Sequence, residues 1–148
     1  MIEEILDKSR KAIGDKLGLT VVFDPMPVQK AEPHVRLTFM GTADQGSYDV
    51  VSFQLTVVAA GDGPDFFVPT LVKASLKVHD LFNGSNGKDR MDVPLAGGSA
   101  ARIQFKPVTL PNGGQFIENE REDTERNQFR YTYVEPHVVT ISFPRDQR

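Results

Sequence analysis

The chain is 148 residues long, 39% hydrophobic and 25% charged, a size and balance that fit one globular domain spanning 1–148. Its 17 Lys and Arg nearly balance its 20 Asp and Glu, and the net charge of -3 argues against a partner bound by neutralising many phosphates. The absence of cysteine excludes disulfide scaffolds, thiolate metal sites and thiol nucleophiles.

The first predicted element is an amphipathic helix over 2–17. Ile2, Leu6, Ile13 and Leu17, with Ile5 and Ser9 between them, recur at three- and four-residue steps on one side. Glu3 and Glu4 near the start and Lys16 near the end suit the helix dipole, and Gly18 is placed to stop the helix in a left-handed conformation. The alternation of charged and apolar residues in Met1–Lys8 is unlike the unbroken apolar stretch of a signal peptide. No later run has the length of a membrane helix, which needs about 18–20 apolar residues. The expectation is a soluble, cytosolic chain without membrane contact, in which the glycosylation pattern Asn83-Gly84-Ser85 is a chance match.

Three strands are predicted next. Leu19–Phe23 ends at Pro25 and Pro27, and a strand over 34–41 alternates Val35, Leu37 and Phe39 with Arg36, Thr38 and Met40. Thr42–Ser47 reads as a hairpin loop. Beyond it Val51, Phe53, Leu55 and Val57 mark one face of a long antiparallel partner. A second helix is predicted over about 66–82, with Phe67, Leu71, Ala74, Val78 and Leu81 on its apolar stripe, flanked by Val72 and Leu76. Asp65 suits its N-cap, and Pro69 is tolerable only in its first turn.

The stretch 83–101 reads as turns, because Gly84, Gly87, Pro94, Gly97 and Gly98 lie within it. Strand character resumes at Arg102–Lys106, and a polar stretch over 107–127 reads as a mobile loop carrying the charge run Glu118–Arg126. The chain closes with alternating Phe129, Tyr131 and Tyr133, a Glu135-Pro136 interruption, and alternating Val139, Ile141 and Phe143. Whether 128–143 is two strands or one bent strand stays open. The order α-β-β-β-α-β-β-β predicts an α+β domain, a mostly antiparallel sheet with two helices packed on one face.

Chemistry is sparse in this layout. No G-x-S-x-G occurs, and Ser99 sits in the turn sequence Gly97-Gly98-Ser99-Ala100 without a strand-to-helix context. His34 and His137 open strands beside the Glu32-Pro33 and Glu135-Pro136 breaks, and His79 lies on the second helix. With no H-x-x-x-H spacing, the three read as strand-edge and helix-surface imidazoles rather than metal ligands. Two glycine loops, Gly61–Asp65 and Gly84–Asp89, lack the donors and spacing of a phosphate cradle. Phe23, Phe39, Phe53, Phe67, Phe105 and Phe143 read as core. Arg102, Lys106 and Arg130 beside Phe105, Phe129 and Tyr131 give a faint nucleic-acid pattern that the net charge opposes. No catalytic, cofactor or metal residue is assigned.

The remaining candidate is an interaction surface formed by Glu118, Glu120, Arg121, Glu122 and Arg126. On a helix, Arg121–Glu125 and Glu122–Arg126 would pair at i,i+4; on a strand, Glu118, Glu120 and Glu122 would share a face. Mixed charge suits contacts between identical subunits, where acid must meet base.

The layout resembles the tail terminator, or tail completion, proteins of long-tailed bacteriophages, the minor tail protein U type. The resemblance rests on the helix Ile2–Leu17, the strand pair His34–Met40 and Tyr48–Val58, the Phe67–Phe82 helix, and final strands with Glu135-Pro136 between them. It implies a non-enzymatic virion protein, present in the host cytoplasm during assembly, that caps the tail tube as a ring of six copies. That ring would stop polymerisation and form the head-joining surface. The implied partners are copies of the chain, the major tail tube protein and a head completion protein, with no cofactor and no direct nucleic-acid contact. Another head–tail connector, or a small-molecule-binding α+β domain or enzyme, is the alternative.

Overall fold

A computed structural model describes residues 1–24, 34–61, 69, 72–74, 76–78, 80, 90–107, 116–123 and 128–148. Of these, 59–61, 106–107, 116–123 and 128–136 are described by their backbone alone.

Helix α1 is Ile2–Leu17, with the residues predicted from its apolar spacing. Ile5, Ser9, Ile13 and Leu17 are its buried side chains, so the stripe is centred one position away from Ile2, which stays partly exposed. Buried Ser9 is accommodated because its hydroxyl donates to the Ile5 carbonyl at 2.7 Å. The helix ends where Gly18 adopts φ 67°, and the amides of Gly18 and Leu19 both donate to the Gly14 carbonyl. A side chain at Gly14 would meet the Leu19 carbonyl oxygen at 3.0 Å, so this turn packs tightly against the strand that follows.

That strand, β1 (Thr20–Phe23), pairs in parallel with β2 (His34–Asp44), which is antiparallel to β3 (Tyr48–Gly61). The described residues between 69 and 80 are helical, and this second helix, α2, buries Ala74 and Val78 in the same core. Phe67, Leu71 and Leu81, the other predicted stripe positions, lie outside the described residues. Val72 and Leu76 are exposed.

Beyond α2 the predicted order needs correction, because four strands follow rather than three: β4 (Arg90–Pro94), β5 (Ala100–Pro107), β6 (Phe116–Asp123) and β7 (Gln128–Pro144). β4 falls in the stretch read as turns. Its five residues include a buried Val93, and Pro94 is tolerable there because β4 ends the path of the sheet and needs a partner on one side only. The turn chemistry sits next to it, in a 3-10 turn at Ala96–Gly98 where Gly97 and Gly98 have φ 75° and 81°. Ser99 closes that turn, its hydroxyl donating to the Ala96 carbonyl.

Among the described residues seven strands form one sheet in the order β1-β2-β3-β7-β5-β4, with β6 also on β7. Every pairing is antiparallel except β1 with β2. β7 is one 17-residue strand, which settles the open question about 128–143. Along one edge it pairs with β3 throughout, and its other edge is shared. β5 takes 137–142, and β6 takes 129–134 with one further pair, Asp123 to Gln128, past a register shift. The change of partner falls at Glu135-Pro136, where the β3 register also shifts, between Gln54 and Thr56. Proline has no amide to give a ladder, so the interruption belongs at this residue.

The core lies between one sheet face and the helices. Leu37, Leu55, Ile103 and Ile141 alternate with outward-facing Arg36, Gln54, Arg102 and Ser142 and join Ile13, Leu17 and Val78. Phe39 is a second correction, because it is 60% exposed rather than core. Its ring meets Phe53 edge-on at 6.1 Å, and the Phe23 ring also packs on Phe53, tilted, at 5.5 Å. The β2–β3 register shifts between Phe39 and Gly41, and this bulge, with Gly41 at φ 152°, takes the strand past the end of the core.

Candidate interaction surface

The charge run 118–126 is not a loop over most of its length. Residues 116–123 form β6, held by the backbone ladder to β7, so the helical pairings Arg121–Glu125 and Glu122–Arg126 are not made in that form. The register places Glu118 opposite Thr132, Glu120 opposite Arg130 and Arg121 opposite Phe129. A register shift separates Arg121 from Asp123, which removes Glu122 from the regular two-residue alternation that Glu118 and Glu120 keep. Arg126 lies outside the described residues. The structure therefore brings four of the five candidates onto one edge strand and sets a cationic position, Arg130, across from Glu120.

Extended backbone here needs little local apolar pattern. A strand can be held by hydrogen bonds to a long neighbour while charged side chains keep its other edge from pairing indiscriminately. β6 continues along β7 in the direction of β5, and residues 108–115 separate the two. Together β5, β6 and β7 make a ribbon whose far half, with β3 from Thr56 to Gly61, extends the sheet beyond Pro136.

Elsewhere the chemistry stays dispersed. His34 and His137 are buried, at 5% and 6% exposure, which corrects their reading as strand-edge imidazoles. They sit on β2 and β7 with β3 between those strands. His79 and both glycine loops lie outside the described residues, Gly61 at the end of β3 apart. Among the described residues, no group of three or more His, Asp or Glu is arranged to hold a metal ion. No helix among them is long and apolar enough to cross a membrane. Phe105 is buried on the core face while Arg102 points outward and pairs with Asp92 at 3.1 Å, so these two do not share a face; the side chains of Lys106, Phe129, Arg130 and Tyr131 lie outside the described ones.

Concavities are present on both sheet faces. An open groove of about 400 Å³ on the outer sheet face is lined by Tyr48, Asp92, Arg102, Gln104, Ser142 and Pro144 among others. An apolar hollow of about 340 Å³ lies on the helix side, between Ile2 and Leu6 of α1 and Phe23, Phe39, Val51 and Phe53 of the sheet. Exposed Phe39 was missed as a surface residue, while Met40, 56% exposed, alternates with it on the face of Arg36 and Thr38 as expected. The available signal was Gly41, since a lone glycine within a strand pattern marks a bulge.

The ends of the chain are fastened at the β2–β3 turn. Asp44 and Asp49 are opposite each other in register, a repulsive arrangement that Arg145 and Arg148 offset. Arg145 pairs with Asp44, and Arg148 reaches Asp49 at 2.8 Å. The Arg145 amide donates to the Ser47 carbonyl, and the Met1 ammonium donates to the Gln147 carbonyl at 2.8 Å. On α1 the carboxyls of Glu4 and Asp7 are held below their ordinary pKa values. Lys8 does this for Glu4, and Arg10 and then Lys11 for Asp7, each by hydrogen bonding and charge.

Set against known proteins, the sequence matches no family model and no curated protein.

Proposed function

We propose that this chain is a structural subunit of the tail terminator type, a protein that caps a phage tail tube as a ring, ends its polymerisation and offers a surface to the head. The observation that supports this reading is the strand ribbon beyond Pro136, with mixed charges in register along β6. A ladder of backbone hydrogen bonds fixes the spacing of those charges without requiring a local core. A neighbouring subunit can then meet them with opposite charges at matching intervals. The order of elements through α2, with the helices on one sheet face, is consistent with the resemblance.

In this reading the partners are further copies of the chain, in a ring of six, together with the major tail tube protein and a head completion protein. The site of action is the virion, reached from the host cytoplasm during assembly. The work is differential binding, without a substrate or cofactor.

The test is native mass measurement of the chain alone and after addition of tail tubes, paired with the double variant Arg121→Glu, Arg126→Glu. The wild-type chain is expected to form a ring on the tubes. The variant is expected to fold normally and to fail at that step. A wild-type chain that stays monomeric with tubes present would overturn the reading. A double variant that assembles as well as wild type would remove this strand as the contact.

A further inference from the structure

We draw no further inference here: the strongest candidate, the apolar hollow between the start of α1 and the edge of β2 beyond Leu37, borders residues outside the described ones, and nothing in the structure shows what covers it.

Discussion

The two halves of β7 have the same backbone and opposite surroundings. From Val138 to Ser142 the strand lies between β3 and β5, and Val139 and Ile141 are fully buried against the helices. From Gln128 to Val134 it lies between β3 and β6, and the residues across from it in β6 include Glu118, Glu120 and Arg121. One half is specified by what its alternate side chains bury. The other is described by its ladders alone, since the strand already paired to β3 presents a second row of donors and acceptors to the segment that follows β5. The glutamate–proline step between them is where the β3 ladder shifts register and the other edge changes partner from β6 to β5.

The contrast breaks most readily in the core. Phe53→Ala removes a ring that is 3% exposed and packs on both Phe23 and Phe39. Denaturant unfolding should show a loss of about 3–5 kcal/mol, the usual cost of truncating a buried phenylalanine. A loss below about 1 kcal/mol would mean that the buried face of β3 does not carry the fold. In β6, Arg121→Glu should leave the unfolding midpoint within about 0.5 kcal/mol of wild type, as charge changes away from a packed core do. A core-sized effect there would show that the charged half is held by more than its ladder.

Smaller effects separate backbone geometry from surface charge. Gly18→Ala places a side chain in the left-handed conformation that ends α1, at a cost of about 1–2 kcal/mol. An unchanged unfolding midpoint would show that the helix can stop elsewhere. Arg145→Ala leaves Asp44 and Asp49 opposed with Arg148 as their remaining arginine, and should cost up to about 1 kcal/mol in dilute salt. That loss should shrink as added salt screens the carboxylates; a loss indifferent to salt would place the effect in packing.

The same contrast explains what could be read from the residues. The extent of α1, its glycine stop and the β2–β3 pair were legible because each carries a periodic apolar face and a terminating residue. β4 was obscured by Pro94, its own last residue, and by the neighbouring Gly97-Gly98, which belong to the turn after the strand. β6 was obscured because Glu118–Asp123 has no apolar alternation, and its strand state comes with the ladder to β7, whose partners lie five to fourteen residues further along the chain. Phe39 misled for the converse reason. It has the right alternation but lies where β2 has already run past the core, and only the Gly41 bulge hinted at that. The burial of His34 and His137 was not legible either, since alternation does not reveal which strand ends are covered. Among the candidate interaction residues, Glu118, Glu120 and Arg121 lie on one strand, as their closeness in sequence requires. The fixed position of Arg130 opposite Glu120 required the register.

The smallest expected effect concerns exposed charges of α1, which offer a control for those of β6. Lys8 lowers the Glu4 pKa, and Arg10 and Lys11 lower that of Asp7, relative to the unfolded chain. A carboxyl with a lowered folded-state pKa binds its proton more weakly when folded, so its contribution is fully present above the unfolded pKa. That contribution is lost as pH falls through the folded value. The ordinary values are about 4.3 for Glu and 3.9 for Asp, so the loss begins near pH 4 and is complete at lower pH. The double variant Glu4→Gln, Asp7→Asn should therefore be slightly less stable than wild type at pH 7, and the gap should close in strong acid. Urea midpoints of both chains, followed downward from pH 7, measure that gap directly. A gap that stays constant would assign the effect to helix propensity or packing. A gap that closes would show that ionised pairs on the helix contribute on their own, as the backbone-held charges of β6 are not expected to do without a partner.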